Sequence, residues 1–482
     1  MVKSINTDET QKFRDFYKDL FSTMKFYRHS QESKNFFVEY TSLDGNLTLS
    51  STNDANVRAF VNFKFREEFD ADEVYPCNSA LGIFMDKAIL DNSTIEIYSR
   101  IYGNEEETFY FLADTNNTII RINANGVNKI SQSELDSVKF LKKSSTLEQA
   151  YPQNGAGLLE TLRPFLNMDE ELQILFVVNL VQQFIFGSSH FMSVISSPQG
   201  SGKTTFTKLW HQILDPTKAS VAVTPKNTDE LINHLANNYV ICLDNAQAVN
   251  GKFSDVLCGA VTGTTQSKRK LYTDSEEIIL ELHNIIIVNG IDAVPKQPDL
   301  IERSLLFTLN KIPANQRKSE LDIKNEFDKA LPNILGAIFN TLAEYFKRKH
   351  TIHITGGHHM HNAYRDCYVI ADILGVLDKF LLAFIKNQEV IQRQFEAVNP
   401  LISAISSYFD SEGTRKISNS TLKVYECIKP FSDPREFPKS ASAFSRELRI
   451  QEDVLKKAGY RVMWEKLRDF TKLTIQKTGG GN

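Results

Sequence analysis

Several things are scarce in this chain of 482 residues. There are only five cysteines, Cys77, Cys242, Cys258, Cys367 and Cys427. Their number is odd and no two form a CxxC pair, which argues against a disulfide framework or a regular structural zinc site. A reducing, cytoplasmic compartment fits best. No long apolar run occurs. The most apolar stretch, 174–186, is interrupted by Asn179, Gln182 and Gln183, and is too short and too polar to span a bilayer. The opening MVKSINTDETQKF has no apolar core of a signal peptide. Positive charge is not in excess either: 55 Lys and Arg face 59 Asp and Glu, a net charge of −4. Any nucleic-acid surface must therefore be local. No fixed-period repeat is visible.

What is present is a soluble, globular composition, 41% hydrophobic and 24% charged. The length suggests roughly three domains. Residues 1–150 have an α+β pattern. A helical stretch at 9–24 precedes alternating segments at 57–65, 94–101, 108–112 and 118–122, which predict strands. Asn125-Gly126 predicts a turn. A connector over 153–170 leads to an apolar helix at 170–186. From 190 to about 310, short apolar strands alternate with helices, the pattern of a parallel α/β sheet. The candidate strands are 191–196, 221–223, 239–243, 284–288 and 304–309. Residues 317–405 are helical in pattern, and 410–413 reads as a hinge into a short, basic segment.

The sharpest motif is SPQGSGKTT at 197–205. An apolar strand enters it and a helix leaves it, the context of a Walker A phosphate loop. There, backbone N–H groups and a helix N-terminus face phosphates, Lys203 reaches the β and γ oxygens, and Thr204 offers a hydroxyl to Mg²⁺. The nucleotide-binding set is thus Ser197, Pro198, Gln199, Gly200, Ser201, Gly202, Lys203, Thr204 and Thr205. Ser197 stands where the standard pattern has its first glycine.

Further strand ends carry polar groups. The run 239–244 ends in Asp244, which suits a Walker B role beside Mg²⁺. The next position, often a second carboxylate, is Asn245, so the group that activates water stays open among Asp244, Glu276, Glu277 or another side chain. Asn289 ends another buried strand and suits orienting water against a γ-phosphate. Arg303, just before a strand, suits an arginine finger for a neighbouring subunit; the alternative is an ion pair with Glu302 or Asp299.

Two regions are locally basic. In TGTTQSKRKLYTD at 262–274, Lys268, Arg269 and Lys270 can grip a phosphate backbone without reading bases, or simply decorate a solvated turn. Residues 411–482 hold 15 Lys or Arg against 9 Asp or Glu. Helices at 440–448 and 453–458, then strands at 460–464 and 473–476 with Lys466 and Arg468 between them, predict a winged helix that binds DNA or protein. His353, His358, His359 and His361 lack regular ligand spacing and read as a surface loop. Asp70-Ala71-Asp72 reads as a solvated acidic turn.

Taken together, these motifs resemble the AAA+ replicative helicases of bacterial mobile elements and phages. That group is related to superfamily 3 and MCM-like helicases and includes the self-loading helicases of staphylococcal islands and cassettes. The likeness rests on SPQGSGKTT (197–205), ILDP (213–216), ICLDN (241–245), TGTTQSKRKLYTD (262–274), IVNGI (287–291) and PDLIERS (298–304). It continues more weakly through FPKSASAFSREL (437–448) and LKKAGY (455–460). The resemblance implies a homo-oligomeric, hexameric ring that binds ATP and Mg²⁺ between subunits, with DNA in its channel and no membrane partner. Lys268, Arg269 and Lys270 would grip that DNA. Arg303 would act in trans, and Arg317 would play a sensor-2 part.

The expected fold is multidomain. An α+β accessory domain (1–150) precedes an α/β AAA+ P-loop ATPase core (151–316), a helical lid (317–410) and a C-terminal winged helix (411–482). The expected function is ATP-dependent DNA unwinding in replication initiation of a mobile element. The alternatives are an ATP-switched origin-binding initiator or loader that does not unwind, and a remodeller that does not touch nucleic acid.

Overall fold

The computed structural model describes residues 7–30, 35–70, 78–155, 157–244, 251–269, 277–290, 295, 297–354, 356–435 and 437–478. Asp72, Asn245, Lys270 and Glu276, singled out above, lie outside the described residues.

The N-terminal part contains two sheets. The first has five strands in the order Leu47–Ser51, Phe36–Thr41, Lys25–His29, Thr94–Tyr98 and Val138–Phe140. One sequence expectation fails here: residues 57–65 belong to a helix, Ala55–Phe69, and not to a strand. Asp54 caps it, its carboxylate accepting from Asn56 N at 2.7 Å. Val57, Val61 and Phe65 are its buried residues. Their spacing of one helical turn was hidden inside an apparent alternation. Phe65 packs edge-on against Phe13 and Phe16, with ring centroids 5.0 and 5.8 Å away.

The second sheet is an antiparallel meander of four strands, Ile101–Gly103, Glu107–Phe111, Ile119–Asn123 and Gly126–Ile130. Asn123 pairs with Gly126, so the tight hairpin turns at Ala124-Asn125, one residue before the expected Asn125-Gly126. The strand expected over 94–101 is broken after Tyr98, and Arg100 turns into the interior. Its guanidinium is fully buried. It donates to Asp215 Oδ1 (2.9 Å) and to the carbonyls of Phe111 (2.8 Å), Leu147 (2.8 Å) and Pro216 (3.1 Å). Tyr110 OH donates to Leu214 O at 3.0 Å. Ile101, Tyr110, Leu112, Ile120 and Ile122 belong to the same apolar cluster as the central sheet. The meander and the central sheet are thus joined by shared core and by a buried ion pair.

The central sheet has five parallel strands: β1 (Met192–Ser196), β2 (Ala222–Val223), β3 (Val240–Asp244), β4 (Ile285–Gly290) and β5 (Ser304–Phe307). Their spatial order is β2-β3-β4-β1-β5. Every residue of β4 and β5 is buried, as expected for parallel strands covered on both faces. The helix Glu170–Gln182, buried from Ile174 onward, lies under the sheet. Lys203–Leu214 follows β1, and Thr228–Asn237 follows β2. Between β3 and β4, the helix Gly251–Thr262 leads into an antiparallel hairpin of Thr264–Arg269 with Glu277–Leu282.

Beyond the sheet come four helices, Glu320–Arg348, His361–Ile373, Leu377–Val398 and Pro400–Glu412. The last of these continues through the expected hinge and stops at Gly413, whose left-handed φ of 61° ends it. The final segment has helices Thr421–Ile428, Ala441–Ile450 and Glu452–Lys457. Beside them lies a three-stranded sheet in the order Lys416–Ser420, Thr471–Lys477, Tyr460–Lys466. Among the described residues, no helix is long and apolar enough to cross a membrane.

Candidate active site

Strand β1 ends at Ser196, and the loop that follows turns back at two glycines. Gly200 and Gly202 both have φ of +82°, a region that disfavours any side chain, and Gly202 caps the helix that starts at Lys203. Backbone N–H groups of the loop and of the first helical turn therefore have no intrahelical acceptor there. The Lys203 ammonium folds back over the loop and donates to Ser197 O (2.5 Å) and Pro198 O (3.0 Å). Partial burial lowers its pKa from the ordinary lysine value, and the Asp244 carboxylate works against that shift.

The ends of β3 and β4 flank this loop. Thr204 Oγ1 donates toward Asp244 Oδ2 at 3.5 Å. Asn289 is buried at the end of β4, and its amide donates to Thr207 Oγ1 at 3.0 Å. The Thr207 hydroxyl donates in turn to Lys203 O at 2.9 Å. Lys203, Thr204, Asp244 and Asn289 are thus gathered at the C-terminal edge of one sheet. Thr207 was not singled out in the sequence. Its place one turn after Lys203 was the signal that could have found it.

The chain after β5 wraps the same loop. Leu309 N donates to Ser197 Oγ at 2.6 Å, and Ile312 N to Gly200 O at 3.5 Å. A Cβ placed on Gly200 would lie 3.1 Å from Arg317 Nη2. Arg317 therefore lies against the loop, its Nε donating to Ile312 O at 3.3 Å. Asn167, also missed in the sequence, ties this segment to the loop, donating to Ser201 O (3.3 Å) and Asn310 O (2.6 Å). Ser201 Oγ donates inward to Pro198 O at 2.9 Å. Pro198, Gln199 and Gly200 are exposed, and Thr205 lies in the first turn of the helix.

Arg303 is elsewhere. Ser304 pairs with Met192 at the opening of β1, whereas the loop follows the far end of β1. At about 3.3 Å per residue, that separates Arg303 from its own loop by roughly 13 Å or more. Its guanidinium donates to Asp299 O at 2.6 Å.

Residues 161–377 match the family model described as "Actinomycete integrative conjugative element replication protein". The match covers slightly less than half of the chain, and takes in the loop, Asp244, Asn289, Arg303 and Arg317. Over that span the chain is similar to a replication protein of a mobile element. Two solved apo structures of the NrS-1 C-terminal region align with TM-scores of 0.41 and 0.38. Each is 13% identical, and each alignment covers 96% of this chain and 98% of the other. No curated protein matches the chain.

The residues expected to contact DNA lie outside this cluster. Lys268 and Arg269 are the last two residues of the first hairpin strand, Arg269 pairing with Glu277 in the rung next to the connection 270–276. Lys466 pairs with Thr471 in the last rung of the C-terminal sheet, and Arg468 sits in the turn beyond; both side chains are exposed. Nearby, the Arg449 guanidinium stacks 4.3 Å from the centroid of the Trp464 ring. His358, from the His-rich tract, packs against the rings of Phe191 and Phe384.

Proposed function

We propose that this chain is an ATP-dependent DNA helicase that acts in replication initiation of a mobile genetic element, as a homo-oligomeric, hexameric AAA+ ring. The observation that carries this reading is the meeting of Lys203, Thr204, Asp244 and Asn289 at one sheet edge. In this reading the glycine loop cradles the phosphates and Lys203 exchanges its two loop carbonyls for phosphate oxygens. Thr204 and Asp244 offer hard oxygen donors that suit Mg²⁺, an ion that needs few protein ligands. Bound Mg²⁺ would neutralise charge on the phosphates. Asn289, fixed by Thr207, orients the attacking water.

The placement of Arg303 favours a shared site. It lies at the other end of the sheet from its own loop, so an arginine finger at this position would act on a neighbour's nucleotide, as in an oligomer. DNA as the partner is favoured by the similarity to a mobile-element replication protein. Lys268, Arg269 and Lys270 on the hairpin then grip the strand in the channel, and the C-terminal segment, as a winged helix, meets duplex through Lys466 and Arg468. The test is ATP hydrolysis by the purified chain with and without single-stranded DNA. Stimulation by DNA that disappears when Lys268 and Arg269 are both changed to Ala supports the reading. Hydrolysis indifferent to DNA counts against it.

A further inference from the structure

Ser197 occupies the position where a phosphate loop of the standard pattern has glycine, and its side chain does not face the loop's mouth. It is 4% exposed, and its hydroxyl accepts from Leu309 N–H at 2.6 Å; Leu309 is 2% exposed. The register of the sheet explains the contact. Ile195 pairs with Phe307, so continuing β1 against β5 sets Ser197 opposite Leu309. At that point the β1 backbone leaves the sheet to make the loop. The serine hydroxyl continues the ladder by one rung and satisfies an N–H that would otherwise be buried without an acceptor, which glycine could not do.

The segment so anchored runs on along the loop. Asn310 N–H donates to Asn167 O at 2.9 Å, Ile312 N–H reaches Gly200 O, and Arg317 rests on Gly200. Two residues later Ser319 caps the long helix Glu320–Arg348, its hydroxyl accepting from Asp322 N at 3.0 Å. Glu320 is also bridged at 2.6 Å to Lys208 of the loop helix. The start of the loop, the segment 309–317 and the first helix after the sheet are therefore one hydrogen-bonded unit.

We propose that Ser197 is a positioning residue that acts through Leu309, holding the 309–317 segment so that Arg317 stands over the nucleotide phosphates. The inference rests on the nucleotide-binding reading above. Ser197 contributes to binding by placing Arg317, and not by touching phosphate.

The test is a double-mutant cycle on the full chain, with MgATP titrated calorimetrically into wild type, Ser197→Ala, Arg317→Ala and the double variant. Each single change is expected to weaken binding about tenfold, the scale of losing one buried or charge-assisted hydrogen bond. The double variant is expected within about twofold of the weaker single, because the two residues act as one unit. Single effects that instead multiply to roughly a hundredfold overturn the coupling. Hydrogen exchange at the Leu309 amide gives a readout without nucleotide: slow in wild type and faster in Ser197→Ala, with equal rates contradicting the anchor. A wild-type chain that binds no MgATP overturns the nucleotide reading and the coupling with it. Multiplying effects in a chain that does bind overturn the coupling alone.

Discussion

The Thr204 hydroxyl stands 3.5 Å from Asp244 Oδ2, across the gap between the loop helix and the end of β3. That is long for an O–H···O bond, and it sets a hydroxyl and a carboxylate side by side where a divalent cation would need both. Changing Asp244 to Ala is expected to cut ATP hydrolysis by about 10² or more through loss of Mg²⁺ placement, while leaving the thermal unfolding of the free chain close to wild type. A steady-state assay across Mg²⁺ concentrations checks this. Activity restored to wild-type level by excess Mg²⁺ would place the metal elsewhere.

Arg303 lies at the wrong end of the sheet to serve its own loop. Arg303→Ala is therefore expected to lower the turnover number by about 10³, with little change in ATP affinity. Mixing that variant with Lys203→Ala chains is expected to recover part of the hydrolysis. If the site is shared between chains, such mixtures set an intact loop beside an intact arginine at some contacts. Absence of recovery at every mixing ratio contradicts a shared site.

The Arg100–Asp215 pair joins the N-terminal meander to the end of the loop helix, with side chains 0% and 7% exposed. Removing one partner of such a pair leaves the other charge buried and uncompensated. Arg100→Met is expected to cost about 3–5 kcal/mol of stability, read from the shift of the urea midpoint. A loss smaller than about 1 kcal/mol, the scale of an exposed pair, would show that water reaches Asp215.

His211, on the buried side of the loop helix, has its pKa lowered to about 4. Burial is the main cause; Asp215 opposes it and Arg100 adds to it. The native state keeps the imidazole neutral, whereas the unfolded chain takes up a proton below the ordinary value of about 6.5. The stabilising effect of the neutral ring is thus fully present above that value and is lost as pH falls towards about 4. His190 and His283 are shifted in the same direction by burial. Between pH 7 and pH 5, His211 alone is expected to account for about 2 kcal/mol of lost stability. His211→Gln should flatten the pH dependence by that amount in denaturant titrations. An unchanged slope would contradict a neutral buried His211.

Much of the central sheet was legible because parallel strands covered on both faces read as short apolar runs. All five runs proposed from sequence overlap an observed strand, although the observed β3 and β4 run one and two residues further, to the polar ends that marked them. The helix Ala55–Phe69 was not legible, since VRAFVNFKF satisfies period two as well as period four; Asp54 as a cap decides for the helix. The strand Lys416–Ser420 was missed because KISNS buries only Ile417. Ser197 read as a departure from a motif. Its partner Leu309 is remote in sequence, and only the register of β1 with β5 shows what the hydroxyl does. Arg100 likewise looked like part of a strand, because its partner Asp215 is brought to it by tertiary packing alone.

The decisive measurement is strand displacement on a forked DNA duplex bearing a 3′ or a 5′ tail, with ATP and Mg²⁺, comparing wild type with Lys203→Ala. Unwinding by the wild type on at least one fork, abolished by Lys203→Ala, is the expected result. Unwinding that survives Lys203→Ala, or none by a wild type that hydrolyses ATP on both forks, would contradict an ATP-driven helicase.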